Sequence, residues 1–344
     1  MSPLTLAAAL ALLGFPGEPA SHATPKTLYK PEMFQTLVNP DCSYCVDENR
    51  RVAGALRDDD RVLAWIRGDH DGGAIPYRWF LVPYRVISDS YGVFVYDPDA
   101  DFVRGWPASY DFRFHGWRNG VMAMKNVKDG NVYDCLTGEA VEGPAKGTFL
   151  KPLPTLESNW GPWLKAHPKT VAYEMVSKFK PSPLPTHILS ESKSTRPAPD
   201  PRLDPDVRVF GLTAGKSHKA WELDGLLARG RRVVAETVGG QNVLIFVDPA
   251  VRSVVAFAPE TDGKSPSPAS IALDPQPADP AAPWRDRETG SQWNIAGRAV
   301  AGPRKGQTLR WLPGVAVKWY AWAAEHPDTD LVKTKPEHAA NSGR

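Results

Sequence analysis

Short runs of β-branched and aromatic residues punctuate this chain, at 62–66, 91–96, 243–247 and 254–257, each bounded by Gly, Asp or Pro. Runs of that length between turn residues predict strands of a mainly antiparallel sheet. Two segments follow a different period. Residues 155–166 and 314–325 each carry Trp at i and i+3, which sets both indoles on one helical face and predicts a helix in each place. A His-Pro pair follows each segment. Proline cannot continue a helix and histidine can meet its last carbonyls, so both helices should stop there. The pattern predicts a mainly β (α+β) chain.

The same pattern occurs twice. Fifteen of the thirty-four residues in 137–170 recur without a gap 159 positions further on. Gly138, Ala140, Val141, Gly143, Pro144, Lys146 and Gly147 return as Gly297, Ala299, Val300, Gly302, Pro303, Lys305 and Gly306, and Trp160, Trp163 and His167 return as Trp319, Trp322 and His326. Upstream the correspondence continues at smaller shifts: Arg61 and Val62 fall on Arg208 and Val209, and Asp97-Pro98 falls on Asp248-Pro249. The expectation is two tandem β-rich copies of one domain, 55–180 and 207–333, each closed by a C-terminal helix, each with its own core, and packed together. Residues kept in both copies are scaffold by default. This assigns Trp160, Trp163, His167, Trp319, Trp322 and His326 to structure, and it makes residues present in only one copy the candidates for function.

Composition adds boundaries. Pro-rich residues 181–206 resemble an extended linker, the extra loop 262–283 in copy two has the same character, and 334–344 is a tail. Residues 1–23 carry an apolar run, breakers at Pro16 and Gly17, and Ser21 and Ala23 at the small-residue positions of a cleavage site, which predicts a secretory signal peptide and a secreted or periplasmic protein. The run is shorter than the roughly 20 residues of a membrane span, so no transmembrane segment is expected after its removal. With 41 basic and 39 acidic residues, net +2, the chain lacks the field that gathers a polyanion, and nucleic acid is not an expected partner.

A family resemblance rests on Glu236-Thr237-Val238-Gly239-Gly240, Glu288-Thr289-Gly290-Ser291-Gln292-Trp293, Gly297-Arg298-Ala299, Gly302-Pro303, Trp319, Trp322 and His326-Pro327. Copy one follows more loosely through Asp89-Ser90-Tyr91-Gly92, Tyr133, Leu136 to Ala140 and Gly143-Pro144. Together these resemble the bacterial and archaeal family known as domain of unknown function 3179. The resemblance implies a fold and an exported setting and carries no activity. Members of that family look as if they bear Cys-x-x-Cys-Gly after the central strand. Here Tyr96-Asp97-Pro98-Asp99-Ala100 and Val247-Asp248-Pro249-Ala250-Val251 stand there instead, so a function resting on those cysteines does not carry over.

The chain's own cysteines are Cys42, Cys45 and Cys135. Cys42 and Cys45 lie in an N-terminal extension, 24–54. Their spacing allows a local disulfide, a redox dithiol, or a soft-metal site for zinc or copper completed by Cys135 with His115 or His70. No histidine follows Cys45, which excludes the usual haem attachment. Asn294 takes the place of Cys135 in copy two, so the scaffold does not demand a thiol there. From Tyr110 to Asn119 aromatic and polar residues alternate, with no counterpart in copy two. Either this is a half-buried strand, or Asp111, Arg113 and His115 face a small-molecule ligand beside Trp117 as a stacking surface. His70-Asp71-Gly72-Gly73 is expected to be a turn, and Gly143 to Gly147 a hairpin connection. Two functions follow from this reading: an exported ligand- or metal-binding module with its site in copy one, or a thiol- or metal-dependent enzyme using Cys42, Cys45, Cys135 and His115.

Overall fold

The computed structural model describes residues 35–38, 56–67, 70–80, 84–88, 91–107, 111–172, 192–261, 273–275 and 281–333, which are mainly β and form six four-stranded sheets with short helices between them. The predicted signal sequence, Cys42, Cys45, Tyr110 and the tail lie outside the described residues. In the first half, Leu156–Asn159, Arg61–Arg67, His70–Pro76 and Val171–Ala172 pair in that order. In the second, Val315–Lys318, Arg208–Ala214, Ser217–Glu222 and Asp330–Val332 pair in the same order, and in both sheets the last strand is parallel. The antiparallel set Tyr84–Ser88, Val93–Asp97 and Phe102–Trp106 is matched by Arg232–Val238, Gln241–Asp248 and Ser253–Thr261. Edges differ: Gln35–Val38 lies parallel to Tyr84–Ser88, while Leu309–Leu312 extends the opposite edge in the second half.

The residues shared by the two halves do local work. Gly143 and Gly302 have φ of 96° and 88°, a region costly for any residue with a Cβ, and a Cβ there would press on Asn131 or Ser291. They open the tight connection in which Gly147 N–H donates to Ala140 O and Gly306 N–H to Ala299 O, each at 2.8 Å. Trp163 Nε1 donates to Thr170 Oγ1 at 2.9 Å and Trp322 Nε1 to Thr329 Oγ1 at 3.0 Å. Each indole thereby ties its helix to the strand that follows.

Four expectations need correction. The helices begin later than the Trp spacing suggested, at Trp160–Ala166 and Trp319–Glu325. The preceding Leu156–Asn159 and Val315–Lys318 bury alternate residues and are strands, because Arg61–Arg67 and Arg208–Ala214 offer them backbone partners. His70 to Gly73 begin a strand rather than a turn. Gly73 is required there because a Cβ would overlap the Trp65 ring. Residues 192–206 are anchored rather than extended: Ser192 Oγ donates to Asp99 Oδ2 at 2.6 Å, Arg196 lies 3.6 Å from the Tyr320 ring centroid, and Arg202 Nη1 donates to Thr329 O at 2.7 Å.

The fourth correction concerns the cores, which are shared. Trp160, Trp163 and Leu164 pack with Phe246, Phe257, Trp284 and Trp293 of the second half. Trp319, Tyr320 and Trp322 pack with Phe102, Trp106, Phe112 and Trp117 of the first. Each helix therefore lies between its own small sheet, through Val62, Ala64 and Leu156 or Val209, Ala220 and Val317, and the other half. The opposite faces of the small sheets stay at home: Leu63, Trp65 and Ile75 meet Phe94 and Tyr96, and Phe210, Leu212 and Trp221 meet Val243 and Ile245. At the crossing, Arg61 and Arg208, which occupy matching positions, bind one shared pair of carboxylates. Arg61 reaches Asp101 at 2.9 Å and Glu157 at 3.1 Å; Arg208 reaches the same two at 3.1 and 2.7 Å. Burial alone would raise Glu157, but Arg208 and Arg61 hold it down at about 2.

Candidate functional site

The aromatic and polar cluster of the first half is a strand, Phe112–Arg118, with an irregular register between Phe114 and Gly116. That irregularity breaks the period-two assignment of faces beyond Phe114. Trp117 is 5% exposed and sits in the core, with Phe114 edge-on at 4.8 Å, so it offers no stacking surface. Arg113 pairs with Asp111 at 3.2 Å, and His115 Nε2 lies 3.6 Å from Glu142. Cys135 is a free thiol, 2% exposed. Burial, then Asp134 and Asp97, push it well above the ordinary thiol range, which leaves little thiolate to attack or ligate. Among the described residues no group of three or more His, Cys, Asp or Glu is arranged to hold a metal. Trp160, Trp163, Trp319 and Trp322 are buried.

A different set of residues surrounds open space. In the second half a pocket of about 540 Å³ is walled by the hairpin residues Lys216 to Lys219, by Thr237 to Gly239, and by Glu325 to Asp328 past the helix end. The pairing of Ser217–Glu222 with Asp330–Val332, Lys219 opposite Asp330, brings these stretches together. At its centre His218 and His326 stack with centroids 4.0 Å apart and planes 18° off parallel, and Trp322 lies under His326 at 4.3 Å. Thr213 Oγ1 meets His218 Nδ1 at 3.0 Å. Burial lowers His218, and burial with the neighbouring His218 and Arg104 charges lowers His326 to about 3. Both rings are therefore neutral at pH 7, each able to give or take a hydrogen bond.

The asymmetry between the halves isolates His218. His167, the mate of His326, is only 5% exposed and packs on Trp163, and by strand register the mate of His218 is Gly72, since Ala220 lies opposite Gly211 and Leu331 as Ala74 lies opposite Ala64 and Ala172. A histidine in one half against a glycine in the other was the signal available in the chain, and it carries no motif spacing of the kind that marks cysteines.

The charges at the pocket are largely committed. Lys219 Nζ binds Glu236 at 3.1 Å and Asp330 at 3.3 Å. Glu325 binds Arg118 at 2.6 Å and accepts from Asn119 Nδ2 at 2.7 Å, linking the pocket wall to the first half. Arg118 also lies 3.5 Å from Asp134, whose side chain is fully buried. One guanidinium thus faces two buried carboxylates. Burial and the Asp134 charge outweigh Arg118 and raise Glu325 to about 7.

Fold and site together define a mainly β protein whose halves share core faces and which opens one polar, histidine-walled pocket. The chain belongs to the family of proteins of unknown function DUF3179, whose model matches residues 108–329 and, in a second overlapping match, 284–343. No curated protein and no solved structure matches the chain. Among the described residues no helix is long and apolar enough to cross a membrane.

Proposed function

We propose that this protein is an exported binding module made of two copies of one domain, in which copy two carries the site and copy one completes its scaffold. The ligand is a small polar molecule without net charge, held by the imidazoles of His218 and His326. One observation carries this reading: the stacked neutral pair stands at a pocket of about 540 Å³ in one half, whereas its counterpart in the other half, His167, is buried. That volume is in the range of small-molecule sites. Charge pairing favours an uncharged ligand: Lys219 is held between Glu236 and Asp330, Glu325 is bound by Arg118, and Lys216 and Asp328 are of opposite sign, which leaves no excess of cation and one net negative charge spread over the rim.

The test is a histidine side-chain NMR titration of the full chain with methyl glycosides, polyols, zwitterionic amino acids and dicarboxylates. Saturable shifts of both His218 and His326 with an uncharged compound, lost in His218→Phe, are expected. Shifts only with the charged compounds, or none with any class, reject the reading. Mass analysis of the mature N-terminus tests export: cleavage after Ala23 is expected, and an intact Met1 rejects it.

A further inference from the structure

Pro327 lines two cavities. One is the histidine pocket. The other is a notch of about 340 Å³ walled chiefly by Pro197, Pro199, Pro205, Tyr320, Ala323 and Ala324. Tyr320, Ala323, Ala324 and Pro327 follow the i, i+3, i+4, i+7 spacing of a single stripe along Trp319–Glu325 and just beyond it. The two alanines leave depth between the larger walls. In copy one the corresponding positions are Gly161, Leu164 and Lys165, a set that lacks the tyrosine and replaces both alanines with long side chains. The notch lining is thus particular to copy two, as His218 is.

The notch is also preformed. Arg196 is fixed over Tyr320 by its bond to Asp99 at 2.7 Å. Trp319 Nε1 holds Asp200 O, and Arg202 Nη2 donates to Pro327 O at 2.8 Å. Prolines add stiffness, so filling this space orders little that is not already ordered. Its charged rim is paired, Arg196 with Asp99 and Asp200 with Arg202, so it suits an uncharged, apolar group.

Resting on the reading of the histidine pocket given above, we propose that pocket and notch are two halves of one site, and that the ligand is a small amphiphile. Its uncharged, hydroxyl-bearing head lies against His218 and His326, and its short hydrocarbon or aromatic arm crosses Pro327 into the notch. The head obtains hydrogen bonds from neutral imidazoles and rim side chains. The arm leaves water for a cavity whose lining is mostly carbon, which is where the larger share of affinity arises.

The experiment is titration calorimetry on the full chain with two probes, methyl β-D-glucoside as the head alone and octyl β-D-glucoside below its micelle concentration as head plus arm. The octyl probe is expected to bind at least tenfold more tightly. Ala324→Trp should erase that advantage while leaving the methyl probe unchanged, with Ala324→Leu as the smaller intrusion should the tryptophan variant fail to fold. His218→Phe should weaken both probes, with His218→Ala as its second variant. Equal affinities for the two probes, both lost in His218→Phe, overturn the two-part site and leave the histidine pocket standing. Octyl binding that ignores His218 but is lost in Ala324→Trp overturns the shared site from the other side. Binding of neither probe rejects the inference and the uncharged-ligand reading with it.

Discussion

Arg118→Met should cost far more stability at pH 8 than at pH 5, and Glu325→Gln should remove a pH dependence that the native protein has. In the folded chain, Arg118 bridges Glu325, whose side chain is 5% exposed, and Asp134, which is fully buried and also feels the charge of Arg104. Glu325 is raised from 4.5 to about 7. Between those values the unfolded chain has released a proton that the folded chain retains. Stability therefore falls as pH rises across that window, by ~1.4 kcal/mol per pH unit at the steepest. Below pH 4.5 the contribution is fully present; above 7 it is gone. Removing Arg118 leaves two facing carboxylates. At pH 8 the loss should be about 3–5 kcal/mol, the usual cost of an uncompensated buried charge, whereas at pH 5 protonation of Glu325 relieves much of it. Glu325→Gln leaves Arg118 with Asp134 alone, a balanced pair, and should cost less than about 1 kcal/mol at pH 8. Urea unfolding at the two pH values, analysed by linear extrapolation, gives each figure. An Arg118→Met loss that is the same at both pH values, or a Glu325→Gln variant that keeps the native slope, would falsify the two-carboxylate account.

His326 works in the opposite direction. Its folded value is lowered from 6.5 to about 3, so its contribution is present above pH 6.5 and lost as pH falls toward 3, and NMR titration should show a neutral ring at pH 5. Gly302→Ala and Gly143→Ala should each destabilise by more than about 1 kcal/mol in a urea melt, since both positions combine φ near 90° with a blocked Cβ; a neutral outcome at either contradicts the matched-turn argument. Residues 55–180 and 207–333 produced separately should lack cooperative unfolding and bind hydrophobic dye, because the core around Trp160 and Trp163 is completed by Phe246, Phe257, Trp284 and Trp293 of the other half; two-state melts of the isolated halves refute the shared core. Cys135 should resist alkylation in the native state, and Cys135→Ser should leave metal content by elemental analysis unchanged; loss of a bound metal in that variant would restore it as a ligand.

Much of this protein was legible along the chain because its signals are local. Strand runs at 62–66, 243–247 and 254–257 fall within Arg61–Arg67, Gln241–Asp248 and Ser253–Thr261, since β-branched runs between turn residues state their own conformation. The His-Pro stops sit at the helix ends. The repeated glycines have the left-handed angles that justify their presence in both halves. Family membership was equally written in the order of short motifs.

What tertiary structure decided is where those elements meet. A Trp pair at i and i+3 states that a helix has a buried face; it does not state what covers that face, and here it is the helix's own small sheet together with the other half. Period two in Val315–Lys318 became visible only once Arg208–Ala214 stood beside it to take its hydrogen bonds. His218 and His326 are 108 residues apart in number, and no spacing rule joins them. The parallel pairing of Ser217–Glu222 with Asp330–Val332 does so, by bringing a hairpin and a helix end to one rim. The sequence by itself determined the central strands, the helix stops and the glycine turns, because these depend on neighbours within a few residues. The shared cores, the shared carboxylates between Arg61 and Arg208, and the histidine pocket depend on contacts between distant segments, which only the closed fold creates.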